Sequence, residues 1–160
     1  MTKSPEIDVV GCTVAHGQVM AALQAACFPE PWGAETVGRF LCPPNGFGFL
    51  ACLRAPQSQP VGLALCRAVG GDSEILSLGV VPPHRKAGIG GLLLQRVTDG
   101  ALERGAGRLF LEVAKTNEAG LALYEAKGFK QVGLRPGYFD LPEGRVDALV
   151  LALELNMEGN

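Results

Sequence analysis

Two rhythms of apolar and polar residues succeed one another along this chain. Ile7 to Val14 fits a first strand, and Ala15 to Phe28 changes to helical spacing, with Val19, Leu23, Ala26 and Cys27 on one side. Pro29-Glu30-Pro31 ends that pattern, because proline disfavours helix in the residue before it. Trp32 to Leu41 fits a short second helix, and Cys42-Pro43-Pro44-Asn45-Gly46 reads as a turn. Phe47 to Leu53 and Val61 to Val69 are apolar runs around a polar turn, Pro56 to Pro60, which predicts a hairpin. Gly70-Gly71-Asp72 turns the chain again, into the apolar run Ile75 to Val81.

The second half alternates strand and helix. After Pro82-Pro83 comes Arg85-Lys86-Ala87-Gly88-Ile89-Gly90-Gly91, and a helical pattern starts inside it, with Ile89, Leu93, Val97 and Ala101 at four-residue steps and Leu92 beside them. Gly105 suits the end of that helix. Arg108 to Val113 alternates, placing Leu109, Leu111 and Val113 on one face and Phe110 and Glu112 on the other. Asn117 can cap a helix that runs to Lys127 and stops at Gly128. Phe129 to Leu134 predicts a strand, Arg135 to Gly144 a loop containing Tyr138-Phe139, and Arg145 to Leu155 a last strand. Helices between strands in this half, with hairpins in the first, predict an α/β layered domain on a mixed sheet.

Composition narrows the class. The 160 residues are 48% hydrophobic and 19% charged with a net charge of −2, so the chain is one packed domain without the basic patch that nucleic acid requires. Charged or polar residues interrupt every apolar run, so no membrane span is expected. The start MTKSPEIDVV lacks the apolar core of a signal peptide, and a cytoplasmic location is expected. Cys12, Cys27, Cys42, Cys52 and Cys66 are odd in number and widely spaced, which argues against a disulfide framework or a zinc site. His16 and His84 lie in no recognisable catalytic or metal motif, and no metal is expected.

The stretch from Leu76 to Leu94 carries the candidate chemistry. A strand delivers a glycine-rich loop onto a helix N-terminus, where unpaired N–H groups and the helix dipole favour an anion. Gly88, Gly90 and Gly91 would let a phosphate approach the backbone. The loop lacks the G-x-x-x-x-G-K-[ST] pattern and the early G-x-G-x-x-G of the common nucleotide folds. Alone, it could equally be a tight strand-to-helix turn. Glu112, in an otherwise apolar strand, could have its pKa raised and act as a base, or could be a carboxylate on a solvated face. Asn117, Leu121 and Tyr124 share a helix face, and Tyr124 could be a proton donor or a core aromatic.

The order Val80-x-Pro82, Arg85-x-x-Gly88-x-Gly90, Leu111-Glu112-Val113, Asn117 with Tyr124 seven residues on, and Gly128-Phe129 resembles the GNAT acetyltransferases. The resemblance spans roughly Phe28 to Leu153. It implies a single GNAT-like domain over 1–160, with a mixed sheet of about six to seven strands flanked by about four helices. It also implies acetyl-CoA as co-substrate. Within the family, four stretches are similar to the RimI type, which acetylates the N-terminal alanine of ribosomal protein S18: Phe28-Pro29-Glu30-Pro31-Trp32, Leu111-Glu112-Val113, Ala122-Leu123-Tyr124-Glu125 and Gly144-Arg145-Val146-Asp147-Ala148.

What the resemblance implies about residues is specific. Glu112 would accept the amine's proton and Tyr124 would donate to the departing sulfur. The backbone at Leu78, Gly79 and Val80 would pair with the pantetheine arm, the Val80 amide meeting the thioester oxygen. Arg85, Lys86, Ala87, Gly88, Ile89, Gly90 and Gly91 would surround the pyrophosphate, and Asn117 would touch the coenzyme. Trp32, Glu35, Tyr138 and Phe139, placed in loops, would flank an acceptor groove. Glu30, Glu35, Asp140 and Glu143 could attract a cationic segment or form an ordinary charged surface. One departure is Gly33, where RimI-like sequences commonly have serine, a better helix cap. RimI-like proteins can also associate with the tRNA threonylcarbamoyladenosine machinery. Alternatives to the S18 assignment are a GNAT acting on a small-molecule amine and a non-catalytic acyl-CoA-binding protein.

Overall fold

The computed structural model describes residues 6–155. In chain order these form β1 (Ile7–Gly11), a 3-10 turn (Val14–His16), α1 (Gly17–Cys27), α2 (Ala34–Leu41), β2 (Gly46–Leu53), β3 (Pro60–Val69) and β4 (Asp72–Val80). A second 3-10 turn (Pro82–His84) leads to α3 (Ile89–Glu103), then β5 (Arg108–Ala114), α4 (Glu118–Ala126), β6 (Lys130–Leu141) and β7 (Gly144–Glu154). The strands make one sheet in the order β1-β2-β3-β4-β5-β7-β6. Its pairings are antiparallel except β4 with β5, which is parallel. The expected mixed α/β sheet with four helices is the observed architecture.

Two apolar layers sandwich the sheet. Ile89, Leu93, Val97 and Ala101 of α3 and Tyr124 of α4 pack with Val61, Ile75, Leu109, Leu111 and Val113 on one face. Met20, Leu23, Val37 and Leu41 of α1 and α2 pack with Leu50, Leu63 and Leu65 on the other. These helices sit on β2, β3 and β4, and among the described residues no helix packs on that face of β5, β7 and β6. His16 is spent locally: its Nδ1 accepts from the Thr13 N–H at 2.9 Å and closes a cap at the first 3-10 turn.

One break in the sheet positions the site. β4 and β5 pair only over Ser73–Ile75 and Leu109–Leu111. β4 continues to Val80 against β3, and β5 continues to Ala114 against β7. Their facing edges therefore diverge into a gap. Divergence starts at a bulge: Cys66 faces Ile75 and Leu65 faces Ser77, so Leu76 is the extra residue.

The segment 135–144 differs from its expectation as a loop. β6 continues as a strand to Leu141, pairing with β7 again from Phe139 after an irregular stretch, and only Pro142 and Glu143 turn the chain. Pro136 and Gly137 fall in an irregularity between Arg135 and Phe139, where Gly137 takes φ +57° and donates its N–H to Asp147 Oδ1 at 2.8 Å. Pairing with a long partner strand thus absorbs residues that read locally as breakers.

Candidate active site

The gap edge of β4 is defined by its hydrogen bonds. The Val81 N–H donates to Val61 O at 2.9 Å, so Val81 faces β3. By strand alternation Gly79 faces β3 too, and the main-chain groups of Leu78 and Val80 turn to the gap. Gly79 therefore offers no main-chain group there, and its value is steric. A Cβ at this position would lie 2.8 Å from Phe28 Cζ and 3.1 Å from Cys27 Cβ. Glycine lets α1 and its exit press onto the strand.

The loop that follows presents free amides. Gly88 is the N-cap of α3 at φ +83°, a left-handed conformation natural to glycine, and no side chain caps the helix. The first intrahelical bond runs from the Leu92 N–H to Gly88 O at 3.2 Å, which leaves the Ile89, Gly90 and Gly91 amides unspent. A Cβ at Gly91 would meet nothing within 4 Å, so the approach is open. A Cβ at Gly90 would lie 3.3 Å from Leu123 Cδ2, so that glycine seats α3 against α4. Lys86 is exposed and holds φ +65°, a strained value for a side-chain-bearing residue.

Arg85 departs from the simple anion-binding expectation. Its Nε donates to Val80 O at 2.8 Å, bracing the end of β4. It also lies beside Cys27, whose thiol is raised by burial and lowered again by the Arg85 charge and hydrogen bond. The guanidinium ties α1, β4 and the loop together.

Tyr124 and Glu112 occupy opposite faces of the sheet. Tyr124 is buried among the α3/α4-side residues, edge-on to Phe129 with ring centroids 5.5 Å apart. Burial, and secondarily the nearby Cys66 thiol, push its phenol up to about 12. It therefore keeps its proton at neutral pH. Glu112 alternates with buried Leu111 and Val113 and points to the uncovered face, across from Val150. It lines a shallow cavity of about 240 Å³ with Glu74, Phe110, Arg135 and Val150. Its Oε2 is buried, forms an ion pair with Arg135 and has no well-aligned hydrogen bond among the described residues. The surroundings are thus less apolar than the strand's composition suggests.

The remaining candidates are placed as follows. Asn117 caps α4, its Oδ1 accepting from the Gly120 N–H at 3.0 Å, which leaves its NH2 group for a ligand. Trp32 lies in the α1–α2 connector and stacks at a tilt on Phe40, 5.2 Å between centroids. Glu35 is in the first turn of α2, exposed and 3.4 Å from Arg39, rather than in a loop. Gly33 is the N-cap of α2 and makes no side-chain cap. Tyr138 and Phe139 lie within β6, stacked edge to face, and Arg135 stands 5.1 Å over the Tyr138 ring. Among the described residues no group of His, Cys, Asp and Glu could hold a metal ion. No helix among them is long and apolar enough to cross a membrane.

A family model described as "Acetyltransferase (GNAT) family" matches residues 18–129, the stretch that contains the gap, the loop, Glu112 and Tyr124. The chain is a GNAT acetyltransferase. Its GNAT relatives include the N-alpha-acetyltransferase RimI of Mycobacterium tuberculosis, 35% identical over 87% of this chain and 89% of the relative. The crystal structure of the ribosomal-protein-S18-alanine N-acetyltransferase from Escherichia coli has the same fold, with TM-score 0.86, 24% identity and 97% of each chain covered. So does Arabidopsis thaliana NAA60 in complex with acetyl-CoA, with TM-score 0.82, 17% identity, 94% of this chain and 99% of that one covered. Membership of the family makes this GNAT chain an acetyl-CoA-dependent N-acetyltransferase. Three side chains that the structure places beside the candidate residues were not singled out in the sequence: Gln24, bonded to Ser77 and to the Trp32 N–H, Ser77 itself, and Arg135, paired with Glu112. Their partners are distant along the chain, so no local pattern marks them.

Proposed function

We propose that this enzyme acetylates the α-amino group at the N-terminus of ribosomal protein S18, by direct transfer with Glu112 as base and Tyr124 as acid. One observation carries the mechanism: a buried, protonated phenol and a carboxylate stand on opposite faces of a sheet that is open between β4 and β5. A donor entering from the α3 loop and an acceptor lying over β5 and β7 can meet only through that gap. The relatives support this acceptor, among them the E. coli ribosomal protein bS18-alanine N-acetyltransferase, 29% identical over 79% of this chain. The uncovered face of β5, β7 and β6 favours an extended peptide over a small enclosed amine.

Acetyl-CoA supplies an activated acetyl group as a thioester. The unspent Ile89, Gly90 and Gly91 amides fit its pyrophosphate, with Lys86 adding charge, Ala87 and Gly88 shaping the turn, and the Asn117 NH2 adding a donor. The gap-facing groups of Leu78 and Val80 fit the pantetheine arm. The carbonyl of Val80 is held by Arg85, so its amide serves as donor to the oxygen that becomes negative in the transition state. An α-ammonium group has a reference pKa of about 7.7–8.0, so bulk water takes its first proton and the amine arrives neutral; one proton then remains to leave nitrogen, and Glu112, acting through water, is base enough for it. As the C–N bond forms and the C–S bond breaks, Glu112 takes the proton from nitrogen and Tyr124 gives one to sulfur. Trp32, Glu35, Tyr138 and Phe139 border the acceptor's path.

Incubating the purified protein with acetyl-CoA, an S18-derived peptide and a panel of small amines tests the assignment. Acetylation of the peptide's α-amine is expected, with little turnover of polyamines, amino acids or aminoglycosides. Preference for a small amine would replace the acceptor, and coenzyme binding without any transfer would replace the enzymatic role.

A further inference from the structure

Gln24 is a buried polar side chain, 2% exposed, that the transfer mechanism does not use. Its amide bridges two parts of the site. Oε1 accepts from the main-chain N–H of Trp32 at 3.4 Å, and Nε2 donates to Ser77 Oγ at 2.7 Å. The direction of this chain is fixed by chemistry. A main-chain N–H can only donate, so the oxygen end of the amide must face Trp32. The NH2 end then faces Ser77, and the Ser77 oxygen must accept. The hydroxyl hydrogen of Ser77 is left over.

That hydrogen is at a telling place. Ser77 follows the bulge residue Leu76 and lies two positions beyond Ile75, the last residue of β4 that pairs with β5. It is half-buried and bonded from α1, so it lies on the face that carries Glu112. We propose that Gln24 is a positioning residue that holds the α1–α2 connector against β4 and orients Ser77 as a hydrogen-bond donor to a main-chain carbonyl oxygen of the acceptor segment. The inference rests on the peptide acceptor proposed above. A buried amide with both ends satisfied also explains why a polar residue is retained in this layer, since an unpaired one would destabilise it.

The test compares wild type, Ser77→Ala, Gln24→Met and the double variant with an alanine-terminated peptide. Ser77→Ala should raise the acceptor KM about 3- to 10-fold, the weight of one neutral hydrogen bond, with the acetyl-CoA KM unchanged. Gln24→Met should do the same, and the double variant should be no worse than either, because the two act in series. Ser77→Thr, which keeps the hydroxyl, should restore the acceptor KM. An unchanged acceptor KM in Ser77→Ala, or additive losses in the double variant, would overturn the proposal. Trp32 is the single tryptophan, so acrylamide quenching of its fluorescence reads the bridge without turnover. If wild type leaves the peptide untouched, the acceptor assignment fails. Quenching then decides the bridge: greater access to Trp32 in both single variants supports it, and equal access in all four proteins sinks it.

Discussion

Replacing Tyr124 by phenylalanine removes one oxygen from the proposed acid and leaves the ring against Phe129. With the phenol at about 12, only about one molecule in ten thousand is ionised at pH 8, so the proton is present throughout the working range. A free thiol has a pKa of about 8.5, so handing that proton to a fully formed, solvated thiolate would be uphill by about 3.5 units, or about 5 kcal/mol. Tyr124 must therefore act late, as the C–S bond breaks and the sulfur becomes basic, with water excluded so that the thiolate is more basic than in solution. The loss should be about 10²- to 10³-fold in kcat, with the acetyl-CoA KM unchanged. The assay is a comparison of two donors, acetyl-CoA and an acetyl thioester of an acidic aromatic thiol, under saturating peptide. The better leaving group needs no acid, so the ratio of wild type to Tyr124→Phe should shrink to less than about tenfold. An equal ratio for both donors, or no loss with acetyl-CoA, would refute the role. The same group predicts a stability signature. Between pH 10 and 12 the unfolded chain releases the tyrosine proton and the folded chain keeps it, so stability falls with rising pH by up to about 1.4 kcal/mol per unit. Tyr124→Phe should remove that component in denaturant titrations across this window.

Other positions give sharper structural tests. Gly88→Val forces a β-branched residue to φ +83°, and should raise the acetyl-CoA KM at least about tenfold and cost about 1–2 kcal/mol in stability. An unchanged KM would remove the pyrophosphate cradle. Gly79→Ala drives a methyl into Phe28 and Cys27 and should destabilise by about 1–3 kcal/mol by thermal melt, whereas Val80→Ile keeps the gap-facing backbone and should melt within about 1 kcal/mol of wild type. Equal melting of the two variants would contradict the steric account of Gly79. Glu112→Gln should lower kcat by about 10²- to 10⁴-fold with acetyl-CoA binding by calorimetry intact, and full activity would discharge Glu112 from the mechanism.

Much of this architecture was legible because local signals coincide with it. Asn117 caps α4, Gly88 starts α3, Gly105 takes a positive φ just beyond that helix, and the alternation around Glu112 separates its face from that of Leu111. Misreading entered where long-range pairing overrides local preference. Pro136 and Gly137 suggested a loop, yet β7 holds the segment as a strand and turns Tyr138 and Phe139 into strand residues. The gap was not legible in the sequence, because its cause is a three-residue parallel pairing followed by a bulge at Leu76. Arg85 read as one more cation on an anion loop, and only its bond to Val80 O assigns it to bracing the strand. Gln24 and Ser77 are 53 residues apart, and nothing in either neighbourhood announces the other.

The N-terminus of S18 reports on the acceptor directly. Intact-mass and peptide mass spectrometry of S18 from cells with and without this protein should show the N-terminal alanine gaining one acetyl group, about 42 Da, only when the protein is present, and losing it in cells that carry Glu112→Gln. Identical acetylation of S18 in all three would contradict the account and leave an acetyltransferase with a different acceptor.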